Sequence, residues 1–233
     1  GAAGFPDLLP GARAAGMGTA YAALSDDVWG IFHNPAGSAR SPFPQLGTTL
    51  GRHLAPRGDA VYHAWAYTRP FPVRPGSTVG AGFFGLQQSA VGEKNELLLH
   101  YAESFTLPRY YITKPFNAGA NFKIVQMAPP GKPSKLGLSL DGGVLADVPN
   151  DGRVGLAFSD LNTGLGVPSP TLTLGGAWTW DRRVTLAADL RLNPGITQFS
   201  PGVEWALFQR LPHLRAGQGF RLDGVGSLSL GVG

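Results

Sequence analysis

The chain has 233 residues, 43% of them hydrophobic and 15% charged, and a formal net charge of +4; this balance supplies enough apolar surface to drive folding and excludes a disordered polymer. The absence of cysteine excludes disulfides, thiolate metal sites and cysteine nucleophiles, and fits a compartment in which unpaired thiols are oxidised. The positive charge is scattered without a basic run, which argues against nucleic acid as a partner, and no window approaches the roughly 18 consecutive apolar residues of a spanning helix.

Taken in chain order, the sequence opens on Gly1-Ala2-Ala3-Gly4 with neither an initiator methionine nor an apolar leader, the form of an exported product whose signal peptide has been removed. Small residues at Ala14, Ala15, Gly16, Gly18, Ala20, Ala22 and Ala23 allow close backbone approach, as a segment threaded through a crowded interior requires. Ser25 is suited to cap a short helix with Asp26 and Asp27 at its positive end, and Asn34-Pro35 stops that helix.

From about residue 45 the chain reads as strands separated by turn-forming clusters: 46–53, 60–69, 77–88, 94–106, 116–127, 136–147, 152–159, 170–180, 183–192, 198–209, 212–222 and 225–233. Most are longer than the five or six residues usual in globular sheets and match the roughly 9–11 that a tilted strand needs to cross a bilayer. Strict alternation is clearest in two of them. In 183–192, Val184, Leu186, Ala188, Leu190 and Leu192 oppose Arg183, Thr185, Ala187, Asp189 and Arg191; in 136–147, Leu136, Leu138, Leu140, Val144 and Ala146 oppose Gly137, Ser139, Asp141, Gly143 and Asp147, with Leu145 breaking the pattern. A soluble sandwich turns the oily face inward; an outer-membrane barrel turns it toward lipid and keeps a polar lumen.

Three further signals favour the second arrangement. Followed up and down from a periplasmic N-terminus, the turns at 149–151, 181–182 and 210–211 fall on the inner side and are short, whereas 128–135, 160–169 and 193–197 fall outside and are longer; 107–115 and 223–224 disagree. Tyr67 with Phe71, Phe105 with Tyr110 and Tyr111, Trp178 with Trp180, and Trp205 with Phe208 adjoin the inner turns, as an interfacial girdle does. Lys123, Asp141, Arg153, Asp189, Arg191, Glu204, Arg215 and Arg221 share the face opposite Phe122, Leu156, Leu190, Val203, Trp205 and Leu214, and each Arg or Lys facing lipid at the midplane would cost about 2–4 kcal/mol. These charges therefore line the lumen, where mixed signs suit ion pairs to a polypeptide plug. Gly137, Gly143, Gly155, Gly175, Gly217, Gly219 and Gly231 lie on the same face, where glycine weakens a strand but lets another segment pack closely. The expected fold is an all-β, antiparallel transmembrane β-barrel of about twelve strands over 46–233, with residues 1–45 as a plug inside it.

The order Leu9-Pro10-Gly11-Ala12-Arg13-Ala14-Ala15-Gly16-Met17-Gly18-Thr19-Ala20-Tyr21, Ser25-Asp26-Asp27, Phe32-His33-Asn34-Pro35-Ala36-Gly37 is similar to the N-terminal signature of PorV/PorQ-type proteins, relatives of the FadL long-chain fatty-acid transporters. The resemblance continues more loosely through 136–145, 159–166 and 214–217. It implies an outer-membrane barrel of 14 strands, so that about two strands are lacking after 225–233 unless the barrel is complete at twelve, also an even count, and a hatch to which Gly16, Met17, Gly18, Asp26, Asp27, Asn34, Pro35, Ala36 and Gly37 contribute the motif. It also implies the partners: the lipid bilayer, with either exported or surface proteins held by a PorV-like platform in type IX-like secretion, or an acyl chain or detergent in the lumen of a FadL-like passive transporter of hydrophobic solutes.

Enzymatic chemistry finds little footing. His33, His53, His63, His100 and His213 are dispersed without metal-ligand spacing, Gly16-Met17-Gly18 lacks the setting of a dinucleotide loop, and neither Asp26-Asp27 nor the serines come with a base or oxyanion motif. No catalytic residue, metal or cofactor is expected.

Overall fold

The computed structural model describes residues 8–54, 58–107, 112–161, 169–208, 211–221 and 226–233. Twelve strands form one antiparallel sheet in which each pairs with its neighbours in sequence: β1 (Gln45–His53), β2 (Ala60–Pro70), β3 (Ser77–Gln88), β4 (Gly92–Leu107), β5 (Ile112–Ala128), β6 (Lys135–Val148), β7 (Gly152–Leu161), β8 (Thr171–Trp180), β9 (Val184–Asn193), β10 (Ile196–Phe208), β11 (Leu211–Arg221) and β12 (Gly226–Val232). This is an antiparallel β-barrel wall, rolled around the residues that precede β1. Its edges are β1 and β12, which among the described residues do not pair with each other.

Register makes the two faces unlike. Opposite partners share a side of the sheet, so the pairs Leu99↔Phe122, Phe122↔Leu140 and Leu174↔Leu190 stack apolar groups on the outside, while Asn121↔Asp141 and Glu204↔Arg215 stack polar groups on the inside. Leu97, Leu99, Phe122, Ile124, Leu138, Leu140, Val154, Phe158, Leu186 and Phe199 are all exposed, while Glu96, His100, Asn121, Lys123, Asp141, Asp189 and Glu204 are buried. The solvation order of a soluble sandwich is thus inverted. Leu145, which interrupts the alternation in the sequence, points inward and is buried.

The residues before β1 contain two short helices, α1 (Ala12–Gly16) and α2 (Gly30–His33), and a 3-10 turn (Pro35–Arg40). Two local expectations change here. Ser25 does not cap α2: it has φ +24°, and its hydroxyl donates to the Tyr21 carbonyl, while Asp27 Oδ1 accepts the N–H of Trp29, the residue preceding α2. The helix begins five residues after Ser25, with Trp29 at its N-cap and no side chain capping it. Asn34 does end α2, and its side chain then accepts the N–H of Ala36 to start the 3-10 turn.

This segment lies directly on the inner face. A Cβ at Gly217 would collide with the Met17 and Gly18 backbone, one at Gly155 with the Ala22 carbonyl, and one at Gly143 with the Asn34 side chain; one at Gly231 would come within 3.2 Å of the Gly16 Cα. Gly219 differs, having Ser227 and Gln198 of the wall as neighbours. The apolar part of the contact is Val28, Ile31 and Phe32 against Ala60, Ala64, Ala66, Phe84, Leu86 and Leu98 of β2–β4. A second cluster gathers Ala14, Met17, Ala20, Tyr21 and Leu24 against Ala187 of β9.

At the end of the wall where β2, β4, β6, β8 and β10 finish, the connections are 71–76, 108–111, 149–151, 181–183 and 209–210; at the other end they are 54–59, 89–91, 129–134, 162–170, 194–195 and 222–225. The 193–197 connection, expected to be long, is a tight turn with Gly195 at φ +88°, and the 107–115 connection is shortened because β5 starts at Ile112. Tyr67, Trp178, Trp180 and Trp205 stand exposed toward the first end, and Phe105 stacks on Phe116 at 5.4 Å; Tyr110 and Tyr111 lie outside the described residues.

Gly217→Val is expected to cost about 1–3 kcal/mol through forced displacement of the segment, whereas Gly176→Ala, on the open outer side, stays within about 0.5 kcal/mol. Denaturant midpoints of the refolded protein in detergent measure both.

Candidate functional site

The geometry is densest where the N-terminal segment meets the inner wall, and three fastenings hold it there. The first is a row of charges alternating in sign. Arg215 Nε donates to Glu204 Oε2 at 2.5 Å; Glu204 accepts two further bonds from Arg13, Nε to Oε2 and Nη2 to Oε1, both 2.9 Å; Arg13 also pairs with Asp26. Arg153 Nη1 lies 3.3 Å from Asp26 Oδ2 and its Nε 3.5 Å from Asp147 Oδ1. The row therefore runs from β11 through β10, α1 and the 26–27 turn to β7 and β6, crossing the interior by way of the segment. Planar guanidinium suits this, since Arg13 makes a fork to one carboxylate and keeps Nη1 for Asp26 and the Tyr21 hydroxyl. The contribution is uneven along the row: the Glu204 side chain is 8% exposed and Asp26 41%, so solvent screens the Arg153–Asp26 end.

The second fastening is Asp189 of β9, whose Oδ2 accepts the backbone N–H groups of Tyr21 at 2.8 Å and Ala22 at 2.9 Å. A buried carboxylate here satisfies two main-chain donors that the segment's irregular backbone leaves without helix or sheet partners. Beside it burial pushes the Tyr21 hydroxyl and the Asp27 carboxyl up from their ordinary ranges, with the Arg13 charge pulling against both.

The third is a buried polar chain on β4–β7. Lys123 Nζ lies 2.5 Å from Asp160, 2.8 Å from Asp141 and 3.9 Å from Glu96, which Lys94 also meets at 2.5 Å. Asn121 donates to Asp141 Oδ2 and to the Ile31 carbonyl, and its Oδ1 faces His100 Nδ1 at 2.7 Å. With Nδ1–H donating to Asn121, His100 Nε2 is left to accept from the Ser38 hydroxyl at 2.6 Å. This Ser–His–Asn order superficially matches a hydrolase relay, but Ser38, His100 and Asn121 are all buried and the chain ends on the segment's own backbone. It ties the 3-10 turn to the wall.

Each residue picked out in the sequence has a definite place. Lys123, Asp141, Asp189, Glu204 and Arg215 point inward into these fastenings, Arg153 joins the charge row, and Arg191 lies on the inner face beside Asp189. Asp26 is in the row, and Asp27 accepts the N–H of Trp29 just before α2. Gly16, Met17 and Gly18 run along β10–β12, and Asn34 donates to the Ala22 and Val144 carbonyls; Pro35 and Ala36 pass over Gly119 of β5. Gly37 packs against the Ser25 carbonyl. Sequence reasoning did not single out Arg13, Lys94, Glu96, His100, Asn121 or Asp160. The signal for Glu96 and His100 was present, as both share the parity of Leu98 and Ala102 opposite Leu97, Leu99 and Tyr101, but apolar residues on both sides blur it.

The voids between segment and wall are small: ≈20 Å³ beside Asp189, Thr19 and Ser200, and ≈30 Å³ beside Lys123, Asp160 and Phe84. Each has room for one or two waters. A larger cavity of ≈470 Å³ opens at the end of the wall that carries the 149–151 and 181–183 turns. Among the described residues no group of three or more His, Asp or Glu is arranged to hold a metal ion.

No family model matches this sequence, and no curated protein does. Among solved structures, the chain is similar to one described as a KdgM porin, with a TM-score of 0.47 and 11% sequence identity over 81% of this chain and 95% of that one.

A double-mutant cycle pairing Arg13→Met with Glu204→Gln is expected to give a coupling of about 1–3 kcal/mol, and one pairing Arg153 with Asp26 less than about 1 kcal/mol. Asp189→Ala should cost about 1–3 kcal/mol by stranding two main-chain donors, and limited proteolysis should then cut within residues 17–25, with Asp189→Asn cut more slowly.

Proposed function

We propose that this chain is an outer-membrane β-barrel, related to PorV/PorQ-type proteins, whose interior is occupied by its own N-terminal segment and which serves as a membrane-embedded docking platform for exported or surface proteins. Hydrocarbon then bathes the exposed leucines of the wall, and the aromatic end lies at the periplasmic boundary. The observation that carries the reading is the fastening of residues 12–38 to nearly every strand of the wall, with Met17, Tyr21 and Ile31 wholly buried between them. A segment that must release an ion-pair row, a buried aspartate and a buried polar chain at once is poorly suited to move aside for each solute. It suits a rigid body whose outer connections recruit partners.

Edges β1 and β12 would each leave a row of backbone groups unpaired in hydrocarbon, at several kcal/mol per group. Because the two edges run in opposite senses, closure of the wall is antiparallel with an even number of strands in all. The second reading, passive passage of hydrophobic solutes, draws on the apolar cluster of Phe32, Phe84, Leu86 and Leu98, which lies near the β1 edge through Trp29 and Gly47.

Three measurements test the proposal. In planar bilayers the full chain is expected to give no stable conductance, and purification from native membranes to yield stoichiometric protein companions; steady channel steps, or an acyl chain held in the interior, would overturn the platform reading. In liposomes Leu99→Arg should lower unfolding stability by about 2–4 kcal/mol, whereas an exposed site on a water-soluble protein would change by no more than about 0.5 kcal/mol.

A further inference from the structure

We infer that the cavity at the 149–151 and 181–183 end is a binding site for a small dipolar ligand, of the class of a short peptide with free termini. Its volume, ≈470 Å³, falls within the range of about 300–1,000 Å³ found for small-molecule pockets. Three guanidinium groups, Arg13, Arg153 and Arg182, and three carboxylates, Asp26, Asp147 and Asp151, line it. These groups fall into two sets. Arg13, Asp26, Arg153 and Asp147 belong to the row of ion pairs and are held in place by it. Asp151 and Arg182 stand at the rim on separate turns, at φ +56° and +53°, and among the described residues the side chains of neither make a hydrogen bond or an ion pair.

The chemistry of the occupant follows from that split. An anion alone gains from Arg182 but meets Asp151 and the row's carboxylates; a cation alone has the converse difficulty. A ligand with both charges, spaced by a few bonds, takes one rim group with each end and leaves the row intact. Arg182 can hold a terminal carboxylate through its fork, and of the Thr179 and Thr185 hydroxyls, bonded to each other at 3.2 Å across adjoining strands, one keeps its O–H as a further donor. Asp151 takes the ammonium. Leu24, Val148 and Ala177 add a small apolar surface for the middle of the ligand. Because the row already neutralises its own charges, binding at the rim does not require the segment to shift. The site is therefore independent of whether the barrel is a platform or a conduit.

Isothermal titration of the detergent-solubilised full chain with triglycine tests this, with acetylated and amidated triglycine, acetate and ethylammonium as controls. Saturable one-to-one binding is expected for triglycine, with each control at least about tenfold weaker. Arg182→Gln and Asp151→Asn, at exposed turn positions, should each weaken triglycine about tenfold while the heat-modifiable gel mobility of the folded barrel is unchanged. Absence of saturable binding, equal affinity for the blocked peptide, or unaltered binding in both variants would overturn the proposal.

Discussion

The structure depends on one steric constraint: a second stretch of backbone must lie against the inner face of a sheet, at a distance that leaves no space for side chains. Gly217, Gly155 and Gly143 meet that constraint at three points around the wall, where any Cβ would overlap the Met17–Gly18, Ala22 or Asn34 atoms. Glycine in a strand is costly on its own account, so its presence on the inner face has to be offset by the segment that it admits. Wall and segment are for this reason parts of one packing unit.

Electrostatics then fix what sterics allow. A charge on an enclosed inner face has little water to solvate it, and an unpaired one would be strongly destabilising. The alternation of sign from Arg215 to Asp147 lets every internal member of the row meet opposite charge on two sides. Placing Arg13 and Asp26 on the segment makes their removal leave Glu204 and Arg153 undercompensated, which ties the segment to the wall in addition to its apolar contacts. Lys123 plays the corresponding part on β5, although its three carboxylates belong to the wall, and here it is Asn121 that hands the network on to the Ile31 carbonyl.

How far this was legible in the sequence varies with the period of the signal. Period two located all twelve strands to within a few residues, since one face of each strand differs from the other; the inward parity of Lys123, Asp189 and Glu204 followed directly. On β2 to β4 the inner face is itself apolar, through Ala64, Ala66, Phe84, Leu86 and Leu98, so both faces look alike and the polar exceptions Glu96 and His100 do not stand out. Leu145 is the same effect in a single residue. The N-terminal segment was legible as small residues and a motif but not in its conformation. Neither Ser25 nor Asp27 caps α2: Ser25 takes a positive φ with Gly30 and Gly37 packed on its carbonyl, and nothing local in the sequence encodes that.

Pairing between distant residues was beyond sequence reasoning for a different reason. Arg13 and Glu204 lie 191 positions apart, and their meeting requires the sheet to curve far enough to bring β10 to the side of the segment that carries α1. Curvature is a sum of small twists over many strands, and no single residue announces it. The inner face nevertheless limits the outcome. Once the glycines fix where the segment runs, the carboxylates available to Arg13 are those whose strands pass within a side chain's reach. Of these, Glu204 on β10 and Asp26 within the segment are the ones it takes. The long-range ion pairs are in this sense a consequence of the short-range sterics, since a side chain at the contact positions displaces the segment that carries Arg13.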